Sequence, residues 1–296
     1  MSEKIWDLSF SNSSYEKFNI DDKWLHQVDE LKFPFNPEWK NIGVNVSGGA
    51  DSALGTSILA TIIRENGYDC KIHFLTNVRV WNNRPWAGPI SVEVYEKIKS
   101  MFPDVIGDRL QNFIPPEIEE GSLKSESNPK GVLSEIGVSG DRICTQSFNM
   151  YAINTKKLNA VYNFITRNPK DLKHRSAPWD RRWESLDDFD RCPQISGNEN
   201  SYHIQPFKLV EKDWIIGQYY RRNWLELLNT TRSCEGDIHL FPDGRFEDYT
   251  TYVHGTSDCP TCLDAMRPDE DIGRCCYWCV ERQWATETAK QKLGIG

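Results

Sequence analysis

The chain has 296 residues, with 35 basic against 43 acidic side chains and a formal net charge of -8. That balance argues against broad, non-specific nucleic-acid binding, which needs a basic surface. No apolar run approaches the roughly 20 residues of a membrane-spanning helix, and Met1–Trp6 carries no signal-type apolar core, so a soluble cytoplasmic protein is expected.

In chain order, residues 1–40 are polar and aromatic, with short amphipathic pieces such as Trp24–Leu31. They read as an N-terminal extension packed on the main domain. Residues 41–46 read as a buried strand and 51–64 as an apolar helix, with a second strand at 71–76 after the Asn66-Gly67 turn. Strand, helix and strand in this order predict a right-handed parallel unit. A helix is expected over 90–102, ending at Phe102-Pro103. Residues 115–140, rich in Pro, Glu, Ser and Gly and without periodicity, read as a loop or lid. A helix over 144–157 and a β-branched and aromatic strand at 160–166 follow. Thr166-Arg167-Asn168-Pro169 leaves that strand at its carboxyl end, where ligands gather in open α/β sheets. Residues 170–200 read as irregular, and helices are expected at 212–220 and 224–228. The length allows one large α/β domain with an appendage or two small ones, with a sizeable core in either case. Most of the eleven tryptophans are read as structural.

The segment joining the first strand to the first helix is Ser47-Gly48-Gly49-Ala50-Asp51-Ser52. Two glycines permit a tight turn and close approach of a ligand to the backbone. Amides at the start of the helix lack partners and lie at its positive end, so they favour an anion. Ser47 and Ser52 add hydroxyl donors, and Asp51 can cap the helix or hold a magnesium-bound phosphate. No Lys-Ser/Thr pair follows the glycines, so this is not a Walker A loop. Nor is it a dinucleotide fingerprint, because the third glycine is missing.

Six of the nine cysteines fall between Cys234 and Cys279. Cys259 and Cys262 form one Cys-x2-Cys knuckle and Cys276 and Cys279 another, 13 residues apart, with Cys234 and Cys275 as spare thiols. Two knuckles suit a tetrahedral, structural zinc site drawn from Cys234, Cys259, Cys262, Cys276 and Cys279; an iron–sulfur cluster is the competing reading. Cys70, Cys144 and Cys192 stand apart and read as small buried residues.

Ser-Gly-Gly-x-Asp-Ser after a strand resembles the pyrophosphate loop of the ATP pyrophosphatases. Together with Thr231–Cys234 and the closing Cys276-x2-Cys279-x2-Arg282, it resembles the 7-cyano-7-deazaguanine synthase branch, or a phage-type relative of it. The resemblance implies an open parallel α/β sheet with helices on both faces, of the adenine nucleotide alpha hydrolase type, plus a C-terminal cysteine-rich zinc element. The implied organisation is residues 1–40 as extension, 41–230 as ATP-binding domain and 231–296 as zinc region. The implied ligands are ATP, Mg2+ and Zn2+, and the implied reaction is amidation and dehydration of 7-carboxy-7-deazaguanine with ammonia, with pyrophosphate released. Ser47, Gly48, Gly49, Ala50, Asp51 and Ser52 would hold the phosphates, Asp51 would meet magnesium, and Asp51, Ser52 and Lys212 would be catalytic. Lys212 matches the family's lysine that contacts phosphate, and Arg167 is a further phosphate candidate.

This sequence departs from the family at three places. Gly273 stands where a middle cysteine would fall, Thr76–Trp81 replaces an Asp-Tyr-Gly-Gln segment, and Thr166–Pro169 replaces Gly-x-x-x-Asp. The rival enzymes are a tRNA-thiolating, a sulfonucleotide-reducing or an amide-forming member of the same superfamily. A nucleotide-binding regulatory or protein-modifying module is the rival outside these. The expected partners are a small acid and ammonia, with no membrane; a homodimer is compatible with the chain.

Overall fold

The computed structural model describes residues 21–79, 87–114, 140–169, 172, 194–198, 201–208, 210–233 and 277–295. A 3-10 turn at Asp22–Trp24 leads into the antiparallel hairpin β1 (Leu25–Val28) and β2 (Leu31–Pro34). Then come β3 (Asn41–Asn45), α1 (Ala50–Glu65), β4 (Lys71–Arg79), α2 (Ala87–Met101), β5 (Ile106–Ile114) and α3 (Gly140–Lys156). The remaining elements are β6 (Ala160–Tyr162), β7 (Gln194–Asn198), β8 (Ser201–Gln205), α4 (Lys212–Arg221), α5 (Leu225–Thr230) and α6 (Tyr277–Leu293).

The main sheet has the order β5-β4-β3-β6-β8-β7. Five strands run parallel, and β7 closes one edge antiparallel to β8. The chain winds outward from β3 through β4 to β5, then crosses β3 to build β6 and β8 on its other side. The crevice beyond the carboxyl ends of β3 and its neighbours is therefore the topological switch point, where open α/β sheets take ligands.

Parallel register puts Val44, Phe74 and Tyr162 side by side on one face. That face packs on α1, α2 and the β1–β2 hairpin. Phe33 of β2 stacks on Tyr162 with centroids 6.3 Å apart, and the Tyr162 hydroxyl donates to the Pro34 carbonyl at 2.7 Å. Gly55 of α1 lets the helix meet Phe164, whose ring would lie 2.2 Å from any Cβ there. The opposite face carries Leu75 and Val161, packed on Phe148, Ala152 and Ile153 of α3. Helices thus cover both faces of an open parallel sheet, as expected. None of the described helices is long and apolar enough to cross a membrane.

The strands expected at 41–46 and 71–76 are present, the second running on to Arg79. The helix expected at 90–102 starts one turn earlier, and the strand expected at 160–166 leaves the ladder after Tyr162. Residues 194–198, read as irregular, form the edge strand β7. An edge strand carries no continuous apolar run, so nothing in its sequence announced it. The lid reading of 115–140 falls almost entirely outside the described residues, and Gly140 opens α3.

Candidate active site

Val46 extends the β3 pairing by donating to the Leu75 carbonyl at 2.9 Å, and Ser47-Gly48-Gly49 then turns the chain into α1. Gly48 has φ +84°, in the left-handed region that favours glycine. A Cβ there would also lie 2.8 Å from Ile90 of α2, so both backbone and space demand glycine. Gly49 is ordinary extended backbone and serves as the N-cap of α1 without a side-chain cap. The first helical hydrogen bond runs from Ala53 N to Gly49 O at 3.2 Å. The amides of Ala50, Asp51 and Ser52 therefore have no acceptor within the helix, and they cluster at its positive end. Ser47 is exposed and Ser52 is buried, donating its hydroxyl to Gly49 O at 3.1 Å.

Asp51 does not cap the helix. Lys212, at the first position of α4, donates to both of its carboxylate oxygens at 2.7 Å. The Thr166 hydroxyl approaches the same carboxylate at 3.4 Å. The Lys212 side chain is only 5 % exposed and Asp51 18 %, so the pair is largely shielded from water. A solvated helix-start lysine would sit quite differently. Lys212 is thus brought to the loop from 161 residues away. Arg167 is not brought with it: it pairs with Glu211 at 2.9 Å and does not line the cleft. Burial raises the Glu211 carboxyl above its ordinary range, and Arg167 opposes that shift.

The far side of the loop is tied to the C-terminal helix. Arg232 N donates to Gly48 O at 2.9 Å. The preceding Thr231 is gripped by Arg282 of α6, which reaches its carbonyl and hydroxyl at 3.0 Å and the Leu228 carbonyl at 2.8 Å. Arg282 is fully buried. Burial pushes its guanidinium down to about 10, while Tyr219, Cys279 and Asp51 favour the cation. Tyr219 of α4 in turn donates to Ala50 O at 2.6 Å. Loop, α4 and α6 form one connected support, a role the sequence reading did not assign to Tyr219 or Arg282. Of the cysteines proposed as metal ligands, Cys234, Cys259, Cys262 and Cys276 lie outside the described residues. Cys279 is described and is buried in the first turn of α6. One thiol neither makes nor excludes a metal site.

Between the loop and α3 lies a cleft of about 360 Å³. Ser47, Gly49, Asp51 and Ser52 line the end of it nearest the loop. Its other walls include Asn45 of β3, Asn77 of β4, Asn163 just beyond β6 and Thr145 of α3. These were missed as site residues. The available signal was asparagine, a poor strand former, placed directly after the apolar runs that end at Val44 and Tyr162.

No protein-family model matches the chain, and no curated protein does. Among solved structures, the U34-tRNA thiolase NcsA from Methanococcus maripaludis, determined with its 4Fe-4S cluster, aligns over 96 % of this chain and 74 % of its own. The identity is 10 % and the TM-score 0.40. So distant a likeness settles neither family nor function.

Proposed function

We propose that the protein is an ATP pyrophosphatase: an acceptor oxygen attacks the α-phosphorus of ATP, the bond to the bridging oxygen breaks, and pyrophosphate leaves. The observation that carries this reading is the loop itself, with three amides that have no acceptor within the helix beside a largely shielded Asp51–Lys212 pair at a switch point. Phosphoryl chemistry of this kind asks the protein for positioning and charge stabilisation rather than covalent help. The amides would hold the leaving diphosphate. Lys212 would carry positive charge to it once Asp51 is shared with a cation. Asp51 Oδ1 keeps a further acceptor site beside its bond to Lys212, so the carboxylate fits a magnesium ion. Magnesium, when bound, neutralises charge on the phosphates.

The acceptor suggested by sequence resemblance is 7-carboxy-7-deazaguanine. Adenylation of its carboxylate, displacement of AMP by ammonia and a second activation of the resulting amide would give the nitrile. The second reading is adenylation of a tRNA base oxygen, followed by sulfur insertion. One observation favours it: among the described residues lining the cleft there is no lysine or arginine to meet an acid. The clustered cysteines are proposed to bind a metal, zinc in the first reading and an iron–sulfur cluster in the second.

Pyrophosphate release from ATP and Mg2+ is the test, run with the deazaguanine acid plus ammonia, with unmodified tRNA plus a sulfur donor, and with neither. Turnover only with an acceptor is expected, and Asp51→Ala should reduce it at least 100-fold without altering metal content. Turnover independent of any acceptor, or an Asp51→Ala enzyme of normal rate, would reject the assignment. Metal analysis of the same preparations separates zinc from iron.

A further inference from the structure

β5 forms one edge of the main sheet and is half-buried along most of its length. The direction of its free hydrogen-bonding groups follows from its neighbours. Val46 N donates to Leu75 O, so the main chain of Leu75 turns toward β3, and that of Phe74, Thr76 and Val78 turns toward β5. Their partners in register are Arg109, Gln111 and Phe113. In a parallel ladder each residue bonds to the two that flank its partner, so Leu110, Asn112 and Ile114 take the bonds from β4. The N–H and C=O groups of Arg109, Gln111 and Phe113 therefore point away from the sheet. Such a row is a template for another strand unless lysine, proline or a bulge guards it. The irregularity of the β4–β5 ladder, between Ile72 and Phe74, lies outside this row, and Arg109–Ile114 holds neither lysine nor proline. The three side chains share the α2 face. Arg109 is folded back on that face, where its Nη2 donates to Ser91 Oγ at 2.8 Å and to Gln111 Oε1 at 2.7 Å. Those acceptors are neutral, no carboxylate among the described residues meets the guanidinium, and its Nε is buried without a partner. Phe113, at the other end of the row, is 59 % exposed.

We infer that β5 pairs antiparallel with β5 of a second copy of this chain, about a two-fold axis through Gln111, so that the two sheets join edge to edge. Hydrogen-bonded antiparallel pairs form between residues whose main-chain groups face each other, each pair exchanging both N–H···O bonds. With the axis at Gln111 the whole row is used. Gln111 faces its own copy, and Arg109 faces the partner subunit's Phe113, a pairing that the symmetry repeats at the other end. Shifting the axis to Leu110 sets Phe113 against Gly107, in the irregular stretch, and shifting it to Asn112 leaves Arg109 opposite a residue beyond the end of the strand. Opposed residues share a face, so each guanidinium without a carboxylate meets an exposed aromatic ring, as a cation–π contact requires. The ribbon is short and its interface small, so the dimer is weak and depends on concentration. None of this depends on the ATP reading.

Sedimentation velocity of the full chain from about 2 to about 200 µM is the test, with monomer passing to dimer across that range as the expected result. Phe113→Lys sets like charges opposite each other and should weaken the dimer roughly ten-fold or more. Phe113→Glu sets a carboxylate against the partner's Arg109 and should keep the dimer within roughly three-fold of the unaltered chain, or tighten it. Phe113 is exposed, so both variants should unfold as the unaltered chain does, and the comparison is one of association. Hydrogen exchange gives the position: the amides of Arg109, Gln111 and Phe113 should gain protection as the concentration rises. A monomer throughout, a dimer indifferent to Phe113→Lys, or an equal loss in the two variants would overturn the inference. Amides already protected in the monomer would overturn it too, by showing that another part of the chain covers the strand.

Discussion

On the α1 face of the sheet, the central strands present Ile42, Val44, Phe74 and Tyr162, all completely buried. On the α3 face, the same strands present Gly43, Asn45, His73 and Leu75, with Asn163, just beyond β6, accepting from Asn45. The first face is packed by two helices and an aromatic hairpin, the second among the described residues by α3 and a small apolar cluster. Burying apolar area is what stabilises a fold, and the dense face carries most of it. The thin face gives up that contribution and keeps hydrogen-bonding groups beside a cleft. The loop passes over the boundary between them, so its glycines are fixed by the dense side and its amides open toward the other.

Substitutions on the two faces should therefore differ in kind. The largest effect is expected for Phe33→Ala, which removes a fully buried ring stacked on Tyr162; it should cost about 3–5 kcal/mol in urea unfolding. A loss under 1 kcal/mol would mean that the hairpin is not part of the core. Gly55→Ala places a methyl group into the Phe164 ring and should cost about 1–3 kcal/mol by overpacking. Because Phe164 also lines the cleft, this variant should weaken ligand binding as well, linking the faces.

A gradual effect is expected with pH. Burial lowers His73 and His203, both on the thin face, and His26 of the hairpin below the ordinary 6.5. Above about 6.5 the three contribute in full, being neutral folded or unfolded. Below it the unfolded chain binds protons first, so stability falls as pH descends through the depressed folded values. The His73 ring accepts from Asp108 N and lies 3.2 Å from Asn41 Oδ1. Protonation would thus put a donor against a donor. Melting curves from pH 7.5 to 5 should show this slope, shallower in His73→Gln; a flat profile would contradict it. The smallest effect is expected at Lys40–Asp69, an exposed pair at 3.0 Å, where Lys40→Ala should change stability by no more than about 0.5 kcal/mol.

The same contrast explains what could be read from the chain. The β3–loop–α1–β4 unit was legible because it lies in the dense core, where buried strands are apolar runs and a glycine pair marks the turn. β5 escaped notice because it is an edge strand, half-buried along most of its length. α6 escaped for a different reason. Glu281, Arg282 and Gln283 are all buried, so a polar stretch occupies core positions and leaves no helical stripe to detect. At the site, Ser47–Ser52 could be named from spacing alone. The pairing of Asn77 with Asn112 and of Asn163 with Asn45 could not, since each partner lies on an adjacent strand. Lys212 was singled out by resemblance, but its grip on Asp51 is a fact of three dimensions.

The tie from Arg282 through Thr231 and Arg232 to Gly48 has a consequence for biosynthesis. Synthesis proceeds from the N-terminus, and segments fold as they emerge. The glycine turn is translated among the first elements, whereas the helix that steadies its outer side is translated long afterwards. A nascent chain halted on the ribosome before α6 would hold a nearly complete sheet but an unsecured glycine turn, and the finished loop would arrive only near the close of translation.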